Sequence, residues 1–151
     1  SIINKHVCLN GIDVESKLHN DTIDKYVAKI SAIIEIRTVV TKALRKTSES
    51  LDVVAEGRDI TTVVFPSAEL KFYMDASVDV RAERRFKQGT SNQSFEELKK
   101  SIKERDEIDK NKPVGSLKIA ADAIYLDTSD LTIDAVCETV LGKIRERKTG
   151  F

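Results

Sequence analysis

Residues Leu70–Gln88 read LKFYMDASVDVRAERRFKQ, and they contain two parts with different patterns of apolar residues. The first part, Leu70–Asp75, is a short apolar and aromatic run that predicts a buried β-strand. The second part, Val78–Gln88, has the spacing and composition of a surface helix. Because a strand followed at once by a helix is the building unit of a parallel sheet covered by helices, the stretch predicts an α/β fold.

The same alternation extends to both sides of this stretch. Further strands are predicted at Val53–Ala55 and Ala123–Asp127, and further helices at about Ser94–Asn111 and Leu131–Arg147. The first of these helices opens on a capping box, because Glu97 stands three residues after Ser94. Pro113 marks its end, since proline cannot continue a helix.

The first fifty residues break the alternation. Ser1–Leu9 predicts a strand that is already under way at its first residue, and Asn10-Gly11 after it is a strong signal for a tight turn. Apolar residues at helical spacing then predict one helix from Thr22 to about Lys46, with Asp21 as its N-cap. This region is therefore predicted to be a separate small lobe.

The composition is that of a soluble globular protein. Of 151 residues, 40% are hydrophobic and 33% are charged, with 25 basic and 25 acidic side chains. A protein that binds nucleic acid normally carries excess positive charge, so the balance argues against that class. No apolar run approaches the roughly 20 residues of a membrane span and no signal peptide is evident, so we expect no membrane partner and a cytoplasmic location.

The cysteines and histidines do not predict a metal centre. Cys8 and Cys137 lie far apart in separate apolar segments, and we expect both to be reduced thiols. His6 and Cys8 alternate along the chain, but no second Cys/His pair exists to complete four ligands. No residue is therefore predicted to ligate a metal.

Arg58 and Asp59 stand where an open parallel sheet holds its ligands. They follow the predicted strand Val53–Ala55 and Gly57 directly, at the carboxyl end of that strand. An arginine offers a forked, permanently charged donor that suits phosphate oxygens, and a carboxylate beside it accepts from an amino group or a hydroxyl. The pair suits the two ends of a nucleotide; the alternative is a local ion pair at a turn.

Two more clusters of charge fall on predicted helices. Arg105 and Asp109 are four residues apart and share a face, with Lys112 one turn further, although a merely solvated face remains the alternative. Arg81 and Arg85 are also four apart, and like charges in that position repel. A polyanion such as a triphosphate would relieve the repulsion; the alternative is a set of scattered surface arginines.

Six short segments stand out as motifs. They are LNGIDV at Leu9–Val14, VAEGRD at Val54–Asp59, TVVFP at Thr62–Pro66, KFYMDAS at Lys71–Ser77, RAERR at Arg81–Arg85 and IKERD at Ile102–Asp106. Together they resemble the bacterial cytidylate kinases, and the similarity covers essentially all 151 residues.

This resemblance implies a fold, an activity and partners. The fold is the α/β P-loop nucleoside-monophosphate kinase, a parallel sheet with flanking helices. Residues 1–48 would be its small monophosphate-binding lobe, and residues 49–151 the C-terminal part of its core with a lid at about 84–108. The activity is transfer of the terminal phosphoryl group of ATP to CMP or dCMP, with Mg²⁺. These nucleotides are the implied partners, and a monomer is expected.

The resemblance also implies roles for the charged residues. The substrate-binding set is Arg37, Arg58, Asp59, Arg105, Asp109 and Lys112. Within it, Arg58 and Arg105 would clamp the CMP phosphate and are the catalytic candidates. Asp59 would read the cytosine edge together with Arg37, and Asp109 would hold a sugar hydroxyl. The residues that would approach the ATP phosphates from the lid side are Arg81, Arg84 and Arg85.

Four positions depart from the family pattern. Ala28 stands where many members carry a serine that contacts the base. Lys112 replaces a common arginine, and this change keeps the positive charge but removes the forked guanidinium that can bind an anion with two donors. Thr61 replaces a common glycine, and Ile34 a common proline. These departures affect base selectivity more than phosphate binding, so the preference among CMP, dCMP and UMP stays open.

The family's glycine-rich phosphate loop has no counterpart in these residues. Gly11 is followed by no second glycine until Gly57, and Lys148–Gly150 does not have the order of G-x-x-x-x-G-K-[ST]. We expect the reading frame to continue upstream into such a loop. Two alternatives stay open: a CMP-binding module that natively lacks the loop, and an interaction scaffold that binds no nucleotide.

Overall fold

The computed structural model of the chain describes residues 2–3, 6–18, 26, 30–89 and 93–149. The chain divides into two compact units, Ser1–Leu51 and Asp52–Phe151. Among the described residues, no helix combines the length and the hydrophobicity that crossing a lipid bilayer requires.

The first unit opens with a small antiparallel sheet. Its strands are β1 (Ile2–Ile3), β2 (His6–Leu9) and β3 (Ile12–Asp13), in the order β1-β2-β3. The turn between β2 and β3 has positive φ at both central residues, 51° at Asn10 and 81° at Gly11. Two such residues match the twist of a tight hairpin, so the turn predicted at Asn10-Gly11 is confirmed.

The helix predicted from Thr22 to about Lys46 is wrong as one continuous element. In the described part, α1 covers Ile34–Ser48, while Ser31 and Ala32 form a turn and Ile33 is extended, with φ −76° and ψ 117°. The Ser31 carbonyl accepts from Arg37 Nη1 at 3.3 Å. The apolar spacing stays in phase across this break, which is why periodicity alone did not reveal it. Asp21 and most of the segment before Ile30 lie outside the described residues.

The second unit contains a parallel strand pair with helices around it. Strands β4 (Phe72–Asp75) and β5 (Ile124–Asp127) pair in parallel, with Phe72 opposite Ile124 and Asp75 opposite Asp127. The helices are α2 (Val78–Lys87), α3 (Phe95–Asn111) and α4 (Ile133–Thr149). The predicted α/β fold with a parallel sheet and flanking helices is confirmed.

The helix starts of this unit follow from local sequence. Ser77 caps α2 by accepting from the amide of Val80 at 3.3 Å. At the start of α3, Ser94 Oγ accepts from the amide of Glu97 at 3.4 Å, while the Glu97 carboxylate accepts from the amide of Ser94 at 2.8 Å. This reciprocal pair is the predicted capping box.

Helices α2 and α3 pack directly against each other. Ala82 on α2 and Leu98 on α3 are both buried, and the small alanine allows a close approach. The rings of Phe86 and Phe95 meet edge to face, with centroids 6.3 Å apart. This packing fixes the position of α3, which carries Arg105, Asp106 and Asp109.

The strand predicted at Val53–Ala55 is wrong. No strand forms there, and Val53 and Val54 are 49% and 101% exposed. An extended segment becomes a buried strand only when a neighbour supplies hydrogen bonds and covers its faces. Within the described residues β4 and β5 pair with each other, and neither pairs with this segment.

Candidate functional site

The carboxylate of Asp109 is the centre of a cluster of cations. Arg58 Nε donates to Asp109 Oδ2 at 2.5 Å, and Lys112 Nζ donates to Oδ1 at 3.3 Å. Arg105 Nε lies 3.9 Å from Oδ2. The structure therefore brings together four residues that the sequence singled out, from positions as far apart as 58 and 112. We call these four residues the Asp109 cluster.

The end of helix α3 builds most of this cluster. Arg105 and Asp109 are one turn apart, so they share a helix face. Lys112 is the C-cap residue, and its amide still donates to the carbonyl of Ile108 at 2.9 Å. The Asp109 carbonyl accepts from the amide of Leu117 at 2.7 Å, which anchors the chain after the helix. Cations at this end also oppose the negative end of the helix dipole.

A rigid loop delivers Arg58 to the same carboxylate. Gly57 before it has φ +156°, and a Cβ built there would lie 2.8 Å from Ile60 Cγ1. After it, Ile60–Val64 forms a single π-helical turn, in which the Asp59 carbonyl accepts from the amides of Val63 and Val64 at 2.8 and 3.2 Å. Such turns are rare and occur frequently at functional sites.

The charges of the cluster keep Asp109 ionised. Burial alone would raise the pKa of this carboxyl group. The hydrogen bond and the charge of Arg58, followed by those of Lys112, outweigh burial and hold the pKa below its ordinary value. The Arg58 and Arg105 side chains are 47% and 72% exposed, whereas that of Asp109 is 13% exposed. The guanidinium group of Arg58, which is bound to this carboxylate, and that of Arg105, which lies near it, thus remain open to a further anion.

Asp59 and Arg37 are the remaining candidates for binding the substrate. Asp59 is buried beside Arg58, at the start of the π-helical turn. Arg37 belongs to the first unit, on α1, where it donates to the Ser31 carbonyl. Their shared role at the cytosine edge stays a prediction.

Arg81 on α2 is held by a carboxylate of α3. Its Nη1 and Nη2 donate to Asp106 Oδ1 and Oδ2 at 2.9 and 2.7 Å, and its Nε donates to the Ala76 carbonyl at 2.9 Å. The hydrogen bonds from Arg81 lower the pKa of Asp106 and correspondingly raise that of Arg81. The repulsion expected between Arg81 and Arg85 is therefore offset by Asp106.

Arg84 and Arg85 differ in their surroundings. Arg84 Nη2 donates to the Thr128 carbonyl at 2.5 Å and to that of Leu131 at 3.3 Å, while Nη1 donates to Thr128 Oγ1 at 3.1 Å. These bonds tie α2 to the loop that follows β5. Arg85 is exposed and makes no hydrogen bond or ion pair with any residue that the structure describes. The donor role of all three arginines stays a prediction.

Asp106 and Thr128 were missed by the sequence reasoning. Asp106 lies inside the quoted IKERD segment, but its partner is 25 residues away on another helix. Its only sequence signal is its position next to Arg105, which turns it by about 100° to a neighbouring helix face. Thr128 follows the strand β5 directly, at the edge where a parallel sheet presents ligand-binding residues.

Comparison with known proteins identifies the family. The family model for cytidylate kinase matches residues 1–146. The chain is 45% identical over 150 residues to the cytidylate kinase of Borreliella burgdorferi (strain ZS7). The aligned region covers 98% of this chain and 68% of that protein. The chain is 46% identical over 142 residues to cytidylate kinase 1 of Borreliella afzelii (strain PKo), and 44% identical over 142 residues to the cytidylate kinase of Borrelia hermsii (strain HS1 / DAH).

These two matches cover 93% of this chain and 64% and 65% of the respective relatives. The chain thus spans about two thirds of the length of the curated relatives that it matches. The match to the family extends over nearly all of its residues and includes every member of the Asp109 cluster. The chain belongs to the cytidylate kinase family.

Proposed function

We propose that this chain binds CMP or dCMP and takes part in transferring the terminal phosphoryl group of ATP to it. The observation that carries the proposal is the Asp109 cluster, in which Arg58, Arg105 and Lys112 surround one carboxylate. A nucleoside monophosphate is a small dianion with hydroxyl groups close to its phosphate. A cluster that combines two guanidinium groups with a carboxylate acceptor suits both parts of such a molecule.

In this proposal Arg58 and Arg105 bind the phosphate of CMP. Both guanidinium groups have donors left over after their contacts with Asp109, because each carries five N–H groups in a fixed fork. Asp109 accepts from a sugar hydroxyl, and Lys112 holds the second oxygen of that carboxylate in place. Asp59, which follows Arg58 directly, is assigned to the base of CMP.

The donor side is assigned to helix α2. Arg85 is the first candidate for the phosphates of ATP, because its guanidinium is exposed and makes no bond to the described residues. Arg81 and Arg84 would have to exchange their present carboxylate and carbonyl partners before they could bind a phosphate. We therefore expect Arg85 to contribute most to ATP affinity.

Mg²⁺ is assigned to the phosphates of ATP rather than to side chains of this chain. Within the described ranges there is no group of three His, Cys, Asp or Glu residues that would hold a metal ion. Mg²⁺ in kinases is commonly bound through substrate phosphates, waters and few carboxylates. When bound, it neutralises charge on the transferred group, while the residues of this chain position the acceptor.

In phosphoryl transfer the protein contributes little covalent chemistry. Phosphoryl transfer depends mostly on aligning the acceptor oxygen with the γ-phosphate and on neutralising negative charge in the transition state. Arg58, which Asp109 already holds in place, needs little reorganisation as the reaction proceeds, and this is the requirement for electrostatic stabilisation.

Calorimetric titration of CMP into the 151-residue chain tests the proposal. Arg58→Ala removes the bond to Asp109 and one phosphate donor, so we expect CMP affinity to fall by roughly 10- to 100-fold. Arg145→Ala is the matched control, because it removes the same charge from an exposed position on α4. Equal affinities of the wild-type chain and Arg58→Ala would contradict the assignment.

A phosphoryl-transfer assay separates a kinase from a binding module. The natural full-length protein, assayed with ATP, Mg²⁺ and CMP, is expected to form CDP. Arg58→Ala in that protein should lower the rate at low CMP concentration. CMP binding without any turnover by the full-length protein would identify a binding module instead.

A further inference from the structure

Helices α2 and α3 are joined by two ion pairs at different positions along their length. Near the start of α3, Lys99 pairs with Asp79 of α2. Two turns later, Asp106 receives both terminal nitrogens of Arg81. Lys99 and Asp106 are seven positions apart, which corresponds to about 10 Å along the helix. The two ion pairs therefore hold the same two helices at two separate points.

The Arg81–Asp106 pair is the more constrained of the two. Both oxygens of Asp106 are used, and the third nitrogen of Arg81 donates to the carbonyl of Ala76, directly after β4. The side chains of Arg81 and Asp106 are 32% and 23% exposed, whereas that of Asp79 is 65% exposed. A planar fork bound at three points fixes orientation as well as distance.

Asp106 lies within the segment of α3 that forms the Asp109 cluster. Arg105 is the residue before it, and Asp109 is three residues after it, so their directions are set by the same turn of helix. The charge of Arg58 also helps to lower the pKa of Asp106. A small rotation of α3 about its axis would move Arg105 and Asp109 away from Arg58.

We propose that Asp106 is a positioning residue, which acts through Arg81 to hold α3 in the rotation that lets Arg105 and Asp109 meet Arg58. The inference rests on the proposed function and deepens it. The same bridge connects α2, the helix proposed for the ATP side, with the helix that carries the CMP phosphate clamp. Asp106 itself is not expected to touch the nucleotide.

A matched pair of substitutions tests this role. Asp106→Asn removes one charge and weakens the bridge to Arg81, whereas Asp79→Asn makes the same chemical change in the other ion pair. Simple electrostatics predicts that losing a negative charge tightens the binding of an anion. The positioning role predicts the opposite for Asp106→Asn, a loss of CMP affinity of about tenfold by calorimetry, with Asp79→Asn within about twofold of wild type.

Arg81→Lys gives a second test that keeps every formal charge. Lysine cannot reproduce the three-point fork, so we expect it to weaken CMP binding in the same direction as Asp106→Asn. Equal losses in Asp106→Asn and Asp79→Asn would show that only general packing of the two helices matters. Unchanged or tighter binding in both Asp106→Asn and Arg81→Lys would overturn the inference.

A measurement without nucleotide separates this inference from the proposed function. The Nε–H group of Arg58 is hydrogen-bonded to Asp109, so its ¹⁵N-correlated NMR signal reports the arrangement of the cluster directly. We expect that signal to shift or to be lost by faster exchange in Asp106→Asn, and to stay in place in Asp79→Asn. If the wild-type chain does not bind CMP, the proposed function fails for this chain, and the NMR signal alone decides the role of Asp106. An unmoved signal in Asp106→Asn would then refute it.

Discussion

Asp109 is a carboxylate that stays charged although it is largely buried. Burial raises its pKa, and Arg58 and Lys112 lower it by more. Asp106 shows the same balance, with the hydrogen bonds from Arg81 as the largest cause of its lowered pKa. A carboxylate that is paired on both oxygens holds its cations in position, and those cations in turn keep it ionised.

These lowered pKa values predict how stability depends on pH. A carboxyl group whose pKa is lower in the folded than in the unfolded chain stabilises the fold above its unfolded pKa, about 3.9 for aspartate. That contribution is lost as the pH falls through the lower, folded pKa. We expect Asp106→Asn to be less stable than wild type at pH 7, and this difference to shrink below about pH 4. Urea denaturation at a series of pH values measures it, and a difference that grows on acidification would contradict the assignment.

Gly57 is the residue whose backbone conformation matters most for the loop. Its φ of +156° is unfavourable for other residues, and a Cβ would meet the Ile60 side chain at 2.8 Å. We expect Gly57→Ala to destabilise the chain by about 1–3 kcal/mol and to weaken CMP binding, because Arg58 follows directly. Denaturant unfolding and CMP titration measure the two effects.

Gly142→Ala is the control for that substitution. Gly142 lies in α4, has no neighbour within 4 Å of a built Cβ, and carries no positive φ. Alanine in a helix is favoured over glycine by about 0.5–1 kcal/mol, so this variant should be at least as stable as wild type. Equal destabilisation of both variants would mean that the backbone at Gly57 has no special role.

At the level of elements, helix α3 supports the site. Its first turn is fixed by the capping box of Ser94 and Glu97, and its last turn carries the Asp109 cluster. We expect Ser94→Ala to destabilise the chain by about 0.5–2 kcal/mol. The amide of Glu97 loses its acceptor, and the Glu97 carboxylate, which accepts from the amide of residue 94, loses the bond from Ser94 Oγ. Ser101→Ala on the same helix should have little effect, since Ser101 Oγ only donates to the Leu98 carbonyl within the helix. Thermal unfolding compares the two, and similar losses would exclude a special role for the cap.

The elements that the sequence predicted well are those whose cause is local. Asn10-Gly11 forms a turn through the φ angles of its own two residues, and Ser94 starts a helix through a bond to Glu97, three positions later. Both lie where expected. Val53–Ala55 was predicted wrongly because burial of a strand depends on neighbours that its own residues do not specify. The break before α1 was missed because the apolar spacing continues through it without a change of phase.

For the whole molecule, the sequence predicted part of the candidate site but not the contacts that hold its residues in place. The spacing of Arg105, Asp109 and Lys112 placed them on one face of a helix, and that face exists. The contact of Arg58 with Asp109 joins residues 51 positions apart, so spacing could not give it. The family resemblance implied only that both residues bind the same nucleotide. The bond between Arg81 and Asp106 was not expected at all, because a run of charged residues on a helix does not reveal which residue of another helix each side chain will contact.

We propose that guanidinium groups from separate parts of the chain bind one pyrimidine monophosphate. The most direct measurement is a crystal structure of the chain grown with CMP. We expect the CMP phosphate to lie within hydrogen-bonding distance of both Arg58 and Arg105, with Asp109 facing the sugar. A phosphate bound elsewhere, with these two side chains turned into bulk solvent, would contradict it.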